Sequence, residues 1–210
     1  ADGPQAQDLR PAFCASLNRD ANGLLTSING GLQNLALHSV RGVDFSLSQR
    51  IDVAGGVVDL NYMASYIDEK VFSVGGTSAQ IACVGKFNLP IGGDACNRPV
   101  PELKHRATVS WMKGGSTTQL TWRHLSQASD GRTDVDYFVE KIDAFDYFEV
   151  STNYALDNGV TATIGIRNLF DNAPPVLDMW NSWEANTFPN LYDVFGRSVF
   201  ARIKYTFNQN

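Results

Sequence analysis

The sequence predicts an all-β fold: antiparallel strands, about seven of them, forming a portion of a transmembrane β-barrel. Three observations carry this. Apolar and polar residues alternate with period two from about Val40 to Phe207. The connections are alternately short (54–56, 113–115, 157–159) and long (73–101, 128–142, 172–195). The aromatic residues Tyr62, Tyr66, Trp111, Trp122, Phe148 and Tyr154 all fall on the apolar faces. A membrane barrel has short periplasmic turns, long outer loops and aromatic girdles. A soluble β-sandwich has no reason to sort its turns by length.

Residues 1–37 are dense in turn formers, among them Pro4, Pro11, Asn18, Asp20, Gly23 and Gly30. They read as an extracellular loop region, with a short hairpin of Leu24–Ile28 against Gln33–Leu37. Residues 38–210 hold the barrel strands. Val43, Phe45, Leu47 and Ile51 share one face, opposite Asp44, Ser46, Ser48 and Arg50. Ala54-Gly55-Gly56 turns the chain into Val58, Leu60, Tyr62, Ala64 and Tyr66, which alternate with Asp59, Asn61, Met63 and Ser65. A strand from about Leu103 to Met112 and another from Thr117 flank Lys113-Gly114-Gly115. Asp157-Asn158-Gly159 is a hairpin turn between the strands of Phe148–Leu156 and Val160–Ile166. In the last strand Val199, Ala201, Ile203, Tyr205 and Phe207 face one way, and Phe200, Arg202, Lys204 and Thr206 the other.

Composition agrees. The chain has 210 residues, 43% hydrophobic and only 19% charged, with 18 Gly and 12 Phe. No apolar run approaches the roughly 20 residues of a membrane helix, whereas a barrel strand needs only about 9–11. The net charge of −5 and the lack of a basic cluster argue against a nucleic-acid partner. Ala1 opens a polar stretch rather than a secretory signal, as expected if a signal has been removed or if these residues are a piece of something longer. Cys83 and Cys96 share one Gly/Pro-rich loop and read as a disulfide in an oxidising compartment, contributing about 3 kcal/mol. Cys14 is left over. With no CxxC and scattered histidines (His38, His105, His124), no metal or cofactor is expected.

The stretch Gly165–Phe207 carries a family resemblance. Asn168-Leu169-Phe170-Asp171, then Pro174-Pro175, then Tyr192-Asp193 with Gly196-Arg197, then an alternating strand ending at Phe207, resembles the C-terminus of TonB-dependent outer-membrane receptors. Phe13-Cys14-Ala15 with Arg19-Asp20, and Arg41-Gly42-Val43-Asp44-Phe45, are similar to one proteobacterial branch of that family. The resemblance covers nearly the whole chain. It implies a 22-stranded barrel around an N-terminal plug, with these residues as its final third. An odd number of strands puts residue 1 in an outer loop, as in a fragment or a receptor nicked at an exposed loop. The family's counterpart of Cys14 often has a partner slightly upstream. The family normally ends on the terminal Phe, which belongs with Tyr205 to the barrel-assembly signal; here Asn208-Gln209-Asn210 follow Phe207.

The implied activity is import of a large scarce nutrient (siderophore, cobalamin or oligosaccharide class) across the bacterial outer membrane. The implied partners are the remaining strands and plug, the TonB–ExbB–ExbD complex, outer-membrane lipid and lipopolysaccharide, and the small-molecule substrate. In the last long loop Trp180, Trp183, Asn186 and Phe188 suit a sugar or an aromatic siderophore, with loop packing or lipopolysaccharide contact as the favoured alternative. Arg106, Arg123, Arg167, Arg202 and Lys204 fall on the polar face, which lines the lumen of a transporter. There they pair with plug or neighbouring acids, or meet substrate. The acid pairs Asp134/Asp136 and Asp143/Asp146 read as a solvated loop, with calcium as the alternative. No catalytic motif is present, so an enzyme is not expected; His124 with Ser126 is the nearest Ser/His pair. The competing readings are a passive porin, or a structural barrel component.

Overall fold

A computed structural model describes residues 14, 16–29, 36–74, 80–89, 94–132, 136, 138–156, 159–177 and 186–207. Among these residues the fold is all-β and mostly antiparallel, with helix confined to one turn, Asp94–Asn97, apart from an isolated helical assignment at residue 14. The principal sheet is a meander of seven long strands: β3 (Ala36–Val53), β4 (Gly56–Val74), β7 (Leu103–Lys113), β8 (Ser116–Leu125), β11 (Phe145–Ala155), β12 (Val160–Arg167) and β13 (Ser198–Tyr205). Its spatial order is β13-β12-β11-β8-β7-β4-β3, and the short β5 (Ile81–Ala82) adds to β4. The sheet is open, with β13 and β3 at its two edges.

The short turns have a physical cause. Ala54 and Gly55 both have positive φ (50° and 71°), as do Gly114 and Gly115 (54° and 79°). Two central residues at positive φ match the twist of the flanking strands, which is why such turns close tight hairpins. All these turns lie at one end of the sheet, and the long connections at the other.

Register shows how completely the alternation sorts the side chains. One row across the sheet reads Leu47, Tyr62, Ala107, Trp122, Phe148. The next reads Gln49, Leu60, Val109, Leu120, Val150, Ile166, Val199. A third reads Ile51, Val58, Trp111, Thr118, Thr152, Ile164, Ala201. These rows are nearly all apolar, yet Leu120 is 43% exposed and Ile164 61%. Between them run polar rows, such as Ser48, Asn61, Thr108, Thr121, Glu149, on the opposite face. On β3 the exposed apolar positions extend from Val43 to Val53. That is about 33 Å of strand, or about 25 Å of height at a tilt of about 40°.

The buried core lies elsewhere. One cluster joins Phe87, Leu125, Ala128, Ile142, Leu177, Phe188 and Tyr192; another joins Cys83, Leu89, Cys96 and Val100. Both sit at the long-loop end. Leu125 and Phe145 are register partners on the polar face, in the row of Lys104, so the long loops fold over that face. The loops also pair with each other. β6 (Lys86–Phe87) runs parallel to β9 (Ala128–Asp130), which is antiparallel to β10 (Lys141–Ile142). The Cys83–Cys96 disulfide is formed, with Cα atoms 5.4 Å apart. Asp130 is bound by Arg132 Nη2 at 2.6 Å and Nε at 3.0 Å, and by Asn88 Nδ2 at 3.3 Å.

One reading of the sequence is extended and one corrected. Leu25–Ile28 (β2) pairs with Leu17–Arg19 (β1); residues 33–35 of the partner expected for it lie outside the described residues. The cause is local. The Asp20 carboxylate accepts the N–H groups of Asn22 and Leu24 at 2.9 and 2.8 Å, and Gly23 takes φ 81°, so the chain reverses before Leu25. The stretch 128–142 is also more than a polar loop, since Ala128 and Ile142 are each 1% exposed.

Candidate functional site at the loop end of the polar face

The motif residues of the last connection are explained by what they hold. Asn168 and Asp171 both have positive φ (49° and 58°), a conformation that Asn and Asp tolerate best among residues other than Gly. The Asn168 amide closes the turn on itself, accepting Asn172 N–H and donating to Asn172 C=O, both at 2.9 Å. Asp171 reaches the far arm of the loop: its Oδ1 accepts Arg197 N–H at 2.7 Å, and its Oδ2 lies 3.6 Å from Arg197 Nη2. A Cβ at Gly196 would stand 2.6 Å from Asp171 Oδ1, so a larger residue at this crossing would have to displace that carboxylate. The loop 172–197 is therefore clamped at its base.

Just inside that clamp the chain lays Tyr192 and Asp193 onto the polar face. Tyr192 is fully buried, edge-on to Phe145 at 5.3 Å. Burial, and then the neighbouring Tyr147, push its hydroxyl up to about 12. Asp193 Oδ2 accepts a 2.7 Å hydrogen bond from Arg123 Nη2, while its N–H donates to the Tyr147 hydroxyl at 3.1 Å. The Arg123 guanidinium lies 4.6 Å from the Tyr147 ring centre, a cation–π distance. Arg123 is thus fixed in place by an acid and an aromatic.

Around it is a pocket of about 200 Å³ lined by Arg106, Thr121, Arg123, Glu149, Arg167 and Asp193, among others. Arg106 and Arg123 are direct cross-strand partners. Arg167 lies 3.9 Å from Glu149, with its guanidinium 4.8 Å from the Phe200 ring centre. A second pocket of about 280 Å³ shares Arg167, Asn168 and Asp193 and is also lined by Tyr192.

The five cationic residues expected on one face do share it by register, but in two groups. Arg106, Arg123 and Arg167 meet at the loop end. Arg202 and Lys204 lie toward the short turns, opposite Thr163 and Thr161. Sequence reasoning did not single out Tyr147 or Glu149 for this pocket, and met Asp193 only as part of a motif. The one available signal was that Asp193 belongs to the Tyr-Asp motif.

Of the expected ligand residues, Trp180 and Trp183 lie outside the described residues. Phe188 is only 7% exposed and packs edge-on against Phe87 at 5.9 Å, so its ring is part of the loop core. The Asn186 carbonyl accepts Leu177 N–H at 2.7 Å. Tyr205 and Phe207 pack edge-on at 4.7 Å and are exposed.

His124 and Ser126 act separately. His124 Nδ1 lies 2.8 Å from Asp146 Oδ1, while the Ser126 hydroxyl accepts Leu103 N–H at 3.0 Å. Asp143 pairs with Lys141 at 2.8 Å. Among the described residues, no group of three or more His, Cys, Asp or Glu is placed to hold a metal ion. No protein-family model, curated protein or solved structure matches the chain.

Proposed function

We propose that these residues form the C-terminal strands of a TonB-dependent receptor barrel in the bacterial outer membrane. It imports a large scarce nutrient of the siderophore, cobalamin or oligosaccharide class. The observation that carries this reading is the exposed apolar face. Rows of Leu, Val, Ile and Trp lie exposed or half-exposed over about 25 Å of height, while the described core sits at the long-loop end. A monomer in water rarely leaves so large an apolar patch bare; lipid covers it at no cost. The open edges β3 and β13 fit further strands of the same barrel.

In this reading the polar face lines a lumen occupied by the plug. The clamped last loop forms part of the outer mouth, and TonB–ExbB–ExbD drives the plug while the ligand passes. No covalent chemistry is involved. The test takes the full-length protein in its own cells. It should fractionate with the outer membrane, migrate faster in gels before boiling than after, and lose uptake when TonB is deleted. Recovery in the aqueous fraction would sink the membrane reading; uptake that persists without TonB would leave a passive porin.

A further inference from the structure

Arg106 and Arg123 face each other directly across β7 and β8 on the polar face. Like charges in directly opposed strand positions are unfavourable unless something neutralises them. Arg123 has Asp193 at 2.7 Å. Arg167, the third guanidinium of the pocket, has Glu149 at 3.9 Å. Arg106 has no ion-pair or hydrogen-bond partner among the described residues, although it lines the same pocket. The pocket wall therefore carries three cations against two acids, and the surplus charge belongs to Arg106. Its other lining residues are Thr121, Tyr147 and Asn168, which can hydrogen-bond, and Phe148. The adjoining pocket is lined by Tyr192, whose buried hydroxyl has no hydrogen-bond partner among the described residues.

We infer that Arg106, with Arg123 and Arg167 beside it, forms a subsite for an anionic group, a carboxylate or phosphate, of the compound that enters the mouth. Guanidinium groups present paired N–H donors that match both anions. Asp193 and Tyr147 hold Arg123 rigid, so its donors are set before the ligand arrives, and less ordering is lost on binding. Arg106, without a partner among the described residues, supplies the uncompensated charge. Arg202 and Lys204, on the same face at the short-turn end, stand too far away to share the anion: four residues of strand separate Thr163 from Arg167, about 13 Å. This inference rests on the import reading for its biological meaning, but its chemistry is tested separately.

The experiment uses the full-length receptor in detergent, with inorganic phosphate and acetate as probes. Saturable line broadening of the phosphate resonance in ³¹P NMR, and of the acetate methyl in ¹H NMR, reads the binding. Wild type should bind both. Arg106→Gln should weaken binding at least tenfold. Glu149→Gln, which removes a competing acid, should strengthen it severalfold. Arg50→Gln removes the same charge from the same face at the short-turn end, beside Asp59, and should change nothing. If Arg106→Gln binds like wild type, or Arg50→Gln weakens binding equally, the subsite does not exist. Loss on Arg106→Gln of phosphate binding alone assigns a phosphate subsite, and loss of acetate binding alone a carboxylate one. A protein that binds the anions through Arg106 yet fractionates outside the membrane breaks the import reading only.

Discussion

Leu120 and Leu125 lie on the same strand and meet opposite surroundings. Leu120 points to the apolar face in mid-sheet and is 43% exposed; Leu125 points to the polar face at the loop end and is 5% exposed. The difference runs through the whole molecule. Over most of its height the sheet buries little, and its order rests on cross-strand pairs and backbone ladders. At the loop end the chain is built like an ordinary domain. It has an apolar core, a disulfide and an almost fully buried Asp130–Arg132 pair. In the proposed reading one sheet is finished by two solvents: water excluded by folded loops at one end, and lipid against the rows below.

The largest expected effect breaks the loop end alone. Asp130 has a side-chain exposure of 3% and Arg132 of 15%. Asp130→Ala leaves a buried guanidinium without that carboxylate, which costs about 3–5 kcal/mol. Hydrogen exchange should speed up through 128–142, while the β7–β8 and β11–β12 ladders keep their protection. Uniform loss of protection would mean that the two regions are not independent. Next in size is a charge on the apolar face. Leu120→Arg should cost about 2–4 kcal/mol in a bilayer, since its row lies midway up the exposed belt. Gln119→Arg, one residue away on the polar face, should cost far less. Equal urea midpoints for the two variants in lipid vesicles would contradict a lipid-covered face.

Much of this was legible in the sequence, for a reason of scale. Strand alternation and turn chemistry are local, so the faces of Phe45, Trp122 or Ile203, and the two-residue turns, follow from neighbours in the chain. The disulfide was legible because Cys83 and Cys96 share one loop. What escaped depends on distant segments meeting. Nothing around Lys86 announces a parallel pairing with Ser129, and nothing around Phe188 says that it will sit on Phe87. The pairing of Leu25–Ile28 with Leu17–Arg19 was not foreseen because the side-chain bonds of Asp20, not the apolar pattern, decide where that hairpin turns. At the candidate site, the arginines were placed by parity alone. Their grouping needed Asp193, which lies 70 positions from Arg123.

A smaller effect sharpens the contrast through pH. The Tyr192 hydroxyl sits in the loop core with its pKa raised to about 12, mainly by burial. The unfolded value is about 10, so the folded state holds the proton more tightly. Its stabilisation is complete below about pH 10 and is lost as the pH rises toward 12, by up to about 3 kcal/mol. Tyr192→Phe should flatten this alkaline decline in loop-core hydrogen exchange and leave the sheet's own pH response unchanged. An identical decline in both proteins would place the titrating group elsewhere.

The smallest effect belongs to the other end of the sheet. Ala54 holds φ at 50°, where its Cβ crowds the backbone, while the matching position in the β7–β8 turn is Gly114 at 54°. The left-handed conformation costs a residue with a Cβ about 1–2 kcal/mol. Glycine removes that cost but adds about 0.5–1 kcal/mol of chain entropy on folding. Ala54→Gly, which turns Ala-Gly into the Gly-Gly of the second turn, should therefore raise stability by no more than about 1.5 kcal/mol. Urea unfolding of the full-length protein in vesicles reads the change. The gain should be absent from loop-core exchange, because the turn and the loop core lie at opposite ends of a sheet whose apolar rows do not connect them through a common core. A gain felt equally at Tyr192 would show the sheet to be one cooperative body from turn to loop, and would end the division drawn between Leu120 and Leu125.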